Sequence, residues 1–177
     1  FFNKLKSNSE FEIYNKLCSI IMVFRENLKQ KNFEILSKLK NPDGRLEEIF
    51  NKKKQKVFID YAHTPDALSK VLSSLKKITS KKLILVFGCG GDRDKKKRNL
   101  MTKEALKYSD QIIITDDNPR FEDPETIRKE MISGISQNKL EKITIIGNRY
   151  KAIKYAVNIL GSNDILLIAG KGNEEYQ

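Results

Sequence analysis

The sequence has 177 residues, of which 39% are hydrophobic and 32% charged. This is enough for one well-packed domain together with a small or incomplete second module. Lysine and arginine outnumber aspartate and glutamate by 34 to 23, which gives a formal charge of +11. The basic excess lacks the interleaved aromatic residues that stack bases, and runs such as Lys95–Lys97 are expected in solvated loops, so we expect no nucleic-acid interface.

The sequence also indicates the compartment. No apolar run approaches the length of a membrane span, so we expect no membrane association. Cys18 and Cys89 lie far apart, and with His63 as the single histidine they cannot form a disulfide framework or a metal site. A reducing cytoplasm therefore fits best. The first residue is Phe1, and the last motif has the composition of a binding loop, so we expect a piece of a longer protein.

The first predicted elements are helical. Apolar residues recur at helical spacing over residues 12–28, and a second, shorter helical pattern follows over residues 33–39. The sequence Asn41-Pro42-Asp43-Gly44 then ends the helical region. We predict that residues 1–50 are the helical tail of a preceding domain.

From residue 51 onward, short apolar runs alternate with helix-length segments, which indicates repeated strand–helix units. Two helix starts are marked by Thr64-Pro65-Asp66 and Asp123-Pro124-Glu125, where proline occupies the first turn. The predicted fold of residues 51–177 is α/β, with a doubly wound, mostly parallel, Rossmann-like sheet. Its predicted strands span residues 57–60, 83–87, 111–115, 142–146 and 165–169.

Most of the unusual residues follow the predicted strands, where open parallel sheets bind their ligands. Each of these loops also has an ordinary structural interpretation, because Asp-Pro, Asn-Pro and glycine sequences make turns. Together, however, the loops place charges of both signs on one rim, which suits a zwitterionic ligand. The charged residues expected to converge there are Arg93, Asp117, Arg120 and Glu174.

Neither of the common glycine-rich nucleotide motifs is present. Gly170-Lys171-Gly172 lacks the glycine spacing and the following serine or threonine of a Walker A loop. Arg93 stands where the dinucleotide pattern GxGxxG requires glycine. If ATP is used, its phosphate-binding loop must lie elsewhere in the protein.

Four strings, DYAHTPDAL, VFGCGGDRDKKKR, TDDNPR and AGKGNEEYQ, resemble in order and spacing the C-terminal domain of the Mur ligases. The resemblance is to the MurE type, which adds the third residue to the peptidoglycan stem peptide. FEIYNKLCSI and DGRLEEIF also resemble the end of that family's central ATP-binding domain. The resemblance implies that residues 1–50 are the remnant of that domain and that residues 51–177 are the amino-acid-binding domain, truncated at its end.

The resemblance further implies an ATP- and Mg²⁺-dependent ligase, acting as a monomer, that joins meso-diaminopimelate to UDP-N-acetylmuramoyl-L-alanyl-D-glutamate. The DNPR string at residues 117–120 is the family's mark of diaminopimelate users as opposed to lysine users. No catalytic residue or metal ligand is assigned, and the fragment alone is expected to be inactive. The implied ATP contacts are Asn15, Arg45, Asp60 and His63, and the implied amino-acid contacts are Arg93, Asp117, Asn118, Arg120, Gly170 and Glu174.

Two positions depart from the family pattern. Asn173 stands where histidine is common, and Glu12 stands where asparagine is common, which bears on the adenine pocket. Three alternatives remain: a related ligase that adds lysine or another amino acid, a separate module that binds an amino acid or nucleotide, and a nucleic-acid binder driven by the positive charge. The last of these would bind with a steep dependence on salt.

Overall fold

The structure, a computed structural model, describes residues 10–52 and 54–177. The chain divides into two compact units between Pro42 and Asp43. In the first unit, α1 (Glu10–Phe24) is followed by 3₁₀ helices at Arg25–Asn27 and Gln30–Ser37, in agreement with the two helical patterns predicted there. Glu12 is buried and accepts a hydrogen bond from the Asn41 side chain, so this departure from the family pattern ties α1 to the end of its own unit.

A six-stranded sheet forms the centre of the second unit, in the order β1-β2-β6-β3-β4-β5. β1 is antiparallel to β2, and the other neighbouring strands are parallel. The five parallel strands are the predicted ones, with ends that shift by two residues at most, whereas β1 was not predicted. The strands are β1 (Glu47–Lys52), β2 (Gln55–Asp60), β3 (Leu83–Phe87), β4 (Gln111–Ile114), β5 (Ile143–Ile145) and β6 (Ile165–Ala169).

The domain boundary predicted between residues 50 and 51 falls inside β1, and the unit that contains the sheet begins eight residues earlier, at Asp43. The difference arises because the residues of β1 pair with β2 along its length. That the first unit is the remnant of a central ATP-binding domain remains a prediction.

Five helices connect the strands: α2 (Pro65–Ile78), α3 (Lys96–Tyr108), α4 (Pro124–Ile132), α5 (Gln137–Leu140) and α6 (Arg149–Ile159). The predicted helix starts are confirmed, because the side chains of Thr64 and Asp123 cap α2 and α4 and proline follows each of them. The prediction that Lys95–Lys97 lies in a loop was wrong for Lys96 and Lys97, since α3 begins at Lys96, whereas Lys95 lies in the turn before it. Within the described ranges, none of the helices has the length and apolar character needed to cross a lipid bilayer.

Helices cover both faces of the sheet, which confirms the doubly wound fold. On one face, Ala152 and Ala156 of α6 pack against Ile84, Leu166 and Ile168. The alternate strand residues are also buried, and they face the side where α2, α3 and α4 pack against one another. Since β6 returns to a place between β2 and β3, its following loop lies between theirs, at the carboxyl edge where such folds bind ligands.

Candidate functional site

The loops that follow β3 and β4 interlock. The backbone N–H of Gly91 donates to the Asn118 carbonyl at 2.9 Å, and Nη1 of Arg120 donates to the Gly91 carbonyl at 2.8 Å. A Cβ at Gly91 would lie 1.8 Å from the carbonyl oxygen of Pro119, so only glycine permits this approach. The two loops therefore form one structural assembly, and it contains four of the predicted amino-acid contacts.

Arg98, a buried residue of α3, binds both of these loops. Arg98, which is 1% exposed, donates from Nη1 and Nη2 to the two carboxylate oxygens of Glu122, at 2.9 and 2.8 Å. It also donates to Glu130 at 2.6 Å and to the Gly90 carbonyl at 3.3 Å. The hydrogen bonds from Arg98 hold the pKa of Glu122 at about 2. Glu122 in turn accepts the backbone N–H of Asp92 at 2.6 Å, so the Arg98–Glu122 pair fixes both loops.

The loop after β6 lies against the loop after β4. Gly170 has a φ of +110°, and a Cβ there would lie 3.3 Å from Oδ2 of Asp117. Lys171 is 9% exposed, and its Nζ lies 3.4 Å from Oδ1 of Asn118 and 3.5 Å from a carboxylate oxygen of Glu174. Four predicted contacts are thus brought together, because Gly170 lies against Asp117 and Lys171 contacts Asn118 and Glu174.

The two predicted arginines do not contact the carboxylates of this group. Arg93 is exposed, and in the described part of the chain it forms no hydrogen bond or ion pair. Arg120 is also exposed and uses Nη1 to bind the carbonyls of Gly91 and Asn118. Its φ of +53° is rare for a residue other than glycine, and backbone strain of this kind clusters at binding sites. Among the described contacts, neither guanidinium reaches Asp117 or Glu174.

The predicted ATP contacts are divided between the two units. Asn15 is an exposed residue of α1, and its backbone carbonyl accepts a hydrogen bond from Ser19 at 2.9 Å. Asp60 is 4% exposed in the second unit, and its carboxylate accepts the backbone N–H groups of Leu46 and Ala62, each at 2.7 Å. Asp60 therefore connects Leu46, which directly precedes β1, with the loop after β2.

Arg45 and His63 both contact the aromatic ring of Tyr61. The guanidinium carbon of Arg45 lies 4.7 Å from the ring centroid of Tyr61, and the imidazole of His63 packs edge-on against that ring at 4.8 Å. A cation, a phenol and an imidazole in one cluster can bind an anionic or aromatic group. The described ranges contain no group of three or more histidine, cysteine, aspartate or glutamate residues that could hold a metal ion.

A cavity of about 270 Å³ lies beside the loop after β6. Its walls combine aliphatic side chains of β2, β6 and α6 with charged and polar residues of the segment that follows β6. The residues that line it are Ile59, Arg149, Ile153, Ile168, Lys171, Gly172, Glu174, Glu175, Tyr176 and Gln177.

Arg149, the first residue of α6, was not among the predicted site residues. Its Nη2 donates to the Ala169 carbonyl at 2.9 Å, whereas Nη1 is buried without a partner in the described structure. Burial lowers the pKa of Arg149, and the negative charges of Asp117 and Glu174 oppose that shift. The local sequence Asn148-Arg149-Tyr150 gives no signal for this position, because the contact with Ala169 spans twenty residues of sequence.

Comparisons with known proteins find relatives over most of the chain. Residues 44–172 match the family described as Mur ligase, glutamate ligase domain. The UDP-N-acetylmuramoyl-L-alanyl-D-glutamate–2,6-diaminopimelate ligase of Rickettsia felis is 54% identical over 149 residues, which are 83% of this chain and 27% of that protein. The ligase of the same name from Prochlorococcus marinus is 43% identical over 175 residues, which are 95% of this chain and 34% of that protein.

A solved structure of a ligase with this name superimposes with a TM-score of 0.73 at 40% identity, and covers 96% of this chain and 34% of that one. The chain spans about a third of the length of the relatives that it matches. Because the family match covers most of the sheet-containing unit, including the loops after β2, β3 and β4, the chain belongs to the Mur ligase family of ATP-dependent amide ligases.

Proposed function

We propose that this chain is the C-terminal part of a ligase that uses ATP to join meso-diaminopimelate to UDP-N-acetylmuramoyl-L-alanyl-D-glutamate in peptidoglycan synthesis. The observation that carries the proposal is the convergence of Asp117, Asn118, Gly170 and Glu174 around one edge of the sheet. The similar proteins from Rickettsia felis and Prochlorococcus marinus, both named as diaminopimelate ligases, support the choice of amino acid.

In the proposed reaction, ATP phosphorylates the carboxylate of the D-glutamyl residue. The free amine of the diamino acid then attacks the carbonyl carbon of this acyl phosphate, forms a tetrahedral intermediate and expels inorganic phosphate, while the amine loses a proton. The contribution of this chain is to hold the amine at attack distance, because positioning and electrostatics dominate reactions of this type. Mg²⁺ would neutralise the phosphate charges and be held mostly by the ATP-binding domain.

The mixture of charges accounts for recognition of the amino acid. Asp117 and Glu174 are suited to the distal ammonium, and the guanidinium groups of Arg120 and Arg93 to a carboxylate. Only Nη1 of Arg120 is engaged by the loop carbonyls, so the rest of its exposed guanidinium can bind a ligand. Lysine lacks the second carboxylate of diaminopimelate, and a guanidinium left unpaired by lysine would disfavour it.

We place the nucleotide with the remaining predicted residues. Arg45 would contact the phosphate side, Asp60 the ribose and Asn15 the adenine, and His63 is a further proposed contact with the nucleotide. We further propose a cytoplasmic monomer with small-molecule substrates and no nucleic-acid or membrane partner. A titration with DNA at low salt that shows no binding would support the absence of a nucleic-acid partner. A nucleic-acid binder of this charge would bind most tightly at low salt.

The decisive experiment measures phosphate release by the complete reading frame that contains this chain. The assay supplies ATP, Mg²⁺ and the UDP-linked dipeptide, with meso-diaminopimelate compared against L-lysine. Release with diaminopimelate alone supports the proposal. Release with lysine alone would keep the ligase and reject the assigned specificity, and release with neither would favour a separate binding module.

Replacing Arg120 with alanine in the complete enzyme should raise the KM for diaminopimelate by about 10- to 100-fold, because a charged hydrogen-bonding partner of the carboxylate is lost. The KM for ATP should stay nearly unchanged, and Arg120→Lys should show an intermediate effect because it keeps the charge without the planar fork. Equal losses for both substrates would reject the role of Arg120 in amino-acid choice.

A further inference from the structure

The guanidinium of Arg149 is half-buried and has few partners. Among the described residues, its Nη2 donates a hydrogen bond to the Ala169 carbonyl, and no other hydrogen bond of the guanidinium is found. The Nη1 atom is buried and has no hydrogen-bond partner in the described structure. A charge without a partner is unfavourable to the extent that it is removed from water. Asp117 and Glu174 lie near enough to influence its pKa but form no ion pair with it. An anionic partner is therefore missing from the immediate surroundings of Arg149.

The cavity beside Arg149 has the chemistry of an amino-acid pocket. Ile59, Ile153 and Ile168 form its aliphatic wall, and Lys171 and Glu174 contribute one charge of each sign. Its volume of about 270 Å³ is sufficient for a small aliphatic amino acid. Pockets of this type combine an apolar wall with a few polar groups that fix the orientation of the ligand.

This cavity differs from the position assigned to Arg93 and Arg120. Those two arginines are exposed on the paired loops after β3 and β4, whereas Arg149 is held by the last residue of β6. Residues 174–177 line one side of the cavity, and all four are exposed.

We propose that Arg149 forms a carboxylate-binding subsite, in which its guanidinium pairs with one carboxylate of the amino-acid substrate while the aliphatic wall contacts the carbon chain. The inference rests on the proposed function for the identity of the ligand, and extends it by assigning a residue and a cavity that the similarity to other ligases does not name. A guanidinium is suited to this role because its planar fork matches the two oxygens of a carboxylate.

The first test uses the complete enzyme and three variants. Arg149→Met keeps the length of the side chain but removes its charge, and it should raise the KM for meso-diaminopimelate by about tenfold or more while the KM for ATP changes less than about twofold. Arg149→Lys should restore part of the loss. The matched control is Tyr150→Ala, at an exposed neighbouring position outside the cavity, which should leave both KM values unchanged.

The second test separates this subsite from the proposed function. Thermal unfolding of the complete protein is followed with meso-diaminopimelate and with pimelate, which has the two carboxylates without the amines. Both should raise the Tm of the wild type by more than that of Arg149→Met at the same ligand concentration. If the wild type forms no amide bond but both ligands still stabilise it through Arg149, only the proposed function fails. If a folded Arg149→Met variant keeps the wild-type KM and the wild-type Tm increase, the subsite is rejected.

Discussion

Arg98 and Arg149 each bind a backbone carbonyl near the carboxyl edge of the sheet, but they differ in their other partners. Arg98 pairs with the carboxylates of Glu122 and Glu130 and with a backbone carbonyl, all within 3.3 Å. Arg149 has a single backbone carbonyl and no carboxylate. The first arginine connects two loops to a helix, and the second lines a cavity.

This difference separates a structural charge from a charge that is available to a ligand. A buried cation with two carboxylates has its desolvation offset within the protein, and removal of either partner leaves the other unpaired. A buried cation without a carboxylate has no such offset until an anion binds. Perturbed and unpaired ionisable groups in clefts are therefore candidates for function, whereas paired ones are candidates for stability.

The largest expected effect is the loss of stability in Arg98→Met. This change removes the hydrogen bonds to Glu122, Glu130 and Gly90 and leaves carboxylates without their main partner. Hydrogen bonds to charged groups contribute about 1.5–3 kcal/mol each, and the loss of several of them at once should lower the unfolding free energy accordingly. Urea denaturation of wild type and variant, followed by circular dichroism, measures the change.

Arg149→Met is the counterpart of that substitution and should behave differently without a ligand. Its unfolding free energy should equal or exceed that of the wild type, because methionine removes an unpaired charge from an enclosed position. A loss as large as that of Arg98→Met would show that Arg149 is structural, and the comparison between the two arginines would no longer hold.

A smaller effect is expected when the interlocked loops are forced apart. Gly91→Ala places a methyl group against the carbonyl of Pro119 and should cost about 1–3 kcal/mol, the usual range for overpacking. It should also raise the KM for diaminopimelate, because Asn118 and Arg120 move with the loop. Gly134→Ala is the control: that glycine has a φ of +69° and no neighbour within 4 Å, so it should lose stability through backbone strain and keep its KM.

Local patterns were sufficient to predict most of the fold. The parallel strands are short apolar runs, and β3 and β6 are buried at every residue. The helix starts carry a capping side chain and proline, which act within a few residues. β1 was missed because its sequence EEIFNK is mostly polar, and Ile49 and Phe50 are largely exposed on this edge strand. Its position depends on pairing with β2, which no local pattern reports.

The candidate site was predictable only in part, for the same reason. The loops after the strands could be identified because parallel strands end at one edge, and Asp117, Asn118, Gly170 and Glu174 do converge there. Lys171 lies within a recognised string but was not expected to be the buried centre of that group. Arg98 follows three lysines and has the sequence context of a solvated run, although its guanidinium is buried by contacts with residues 24 and 32 positions away.

The smallest expected effect is the acid dependence of the Arg98–Glu122 pair. The pKa of Glu122 is lowered to about 2 in the folded protein, chiefly by the hydrogen bonds from Arg98. The pKa of a free glutamate is about 4.3. A lowered folded-state pKa stabilises the fold above the unfolded pKa, and this stabilisation is lost as the pH falls from about 5 towards 2. Glu122→Gln should therefore be less stable than the wild type at pH 6, and the difference should shrink as the pH is lowered through this range.

Urea midpoints at several pH values measure this difference in stability. The control is Glu125→Gln, which removes only an exposed ion pair with Lys129 on the same helix. A constant difference between wild type and Glu122→Gln from pH 6 to pH 2.5 would show that the ionised pair does not hold the loops, and would leave the loop backbone contacts as their main support.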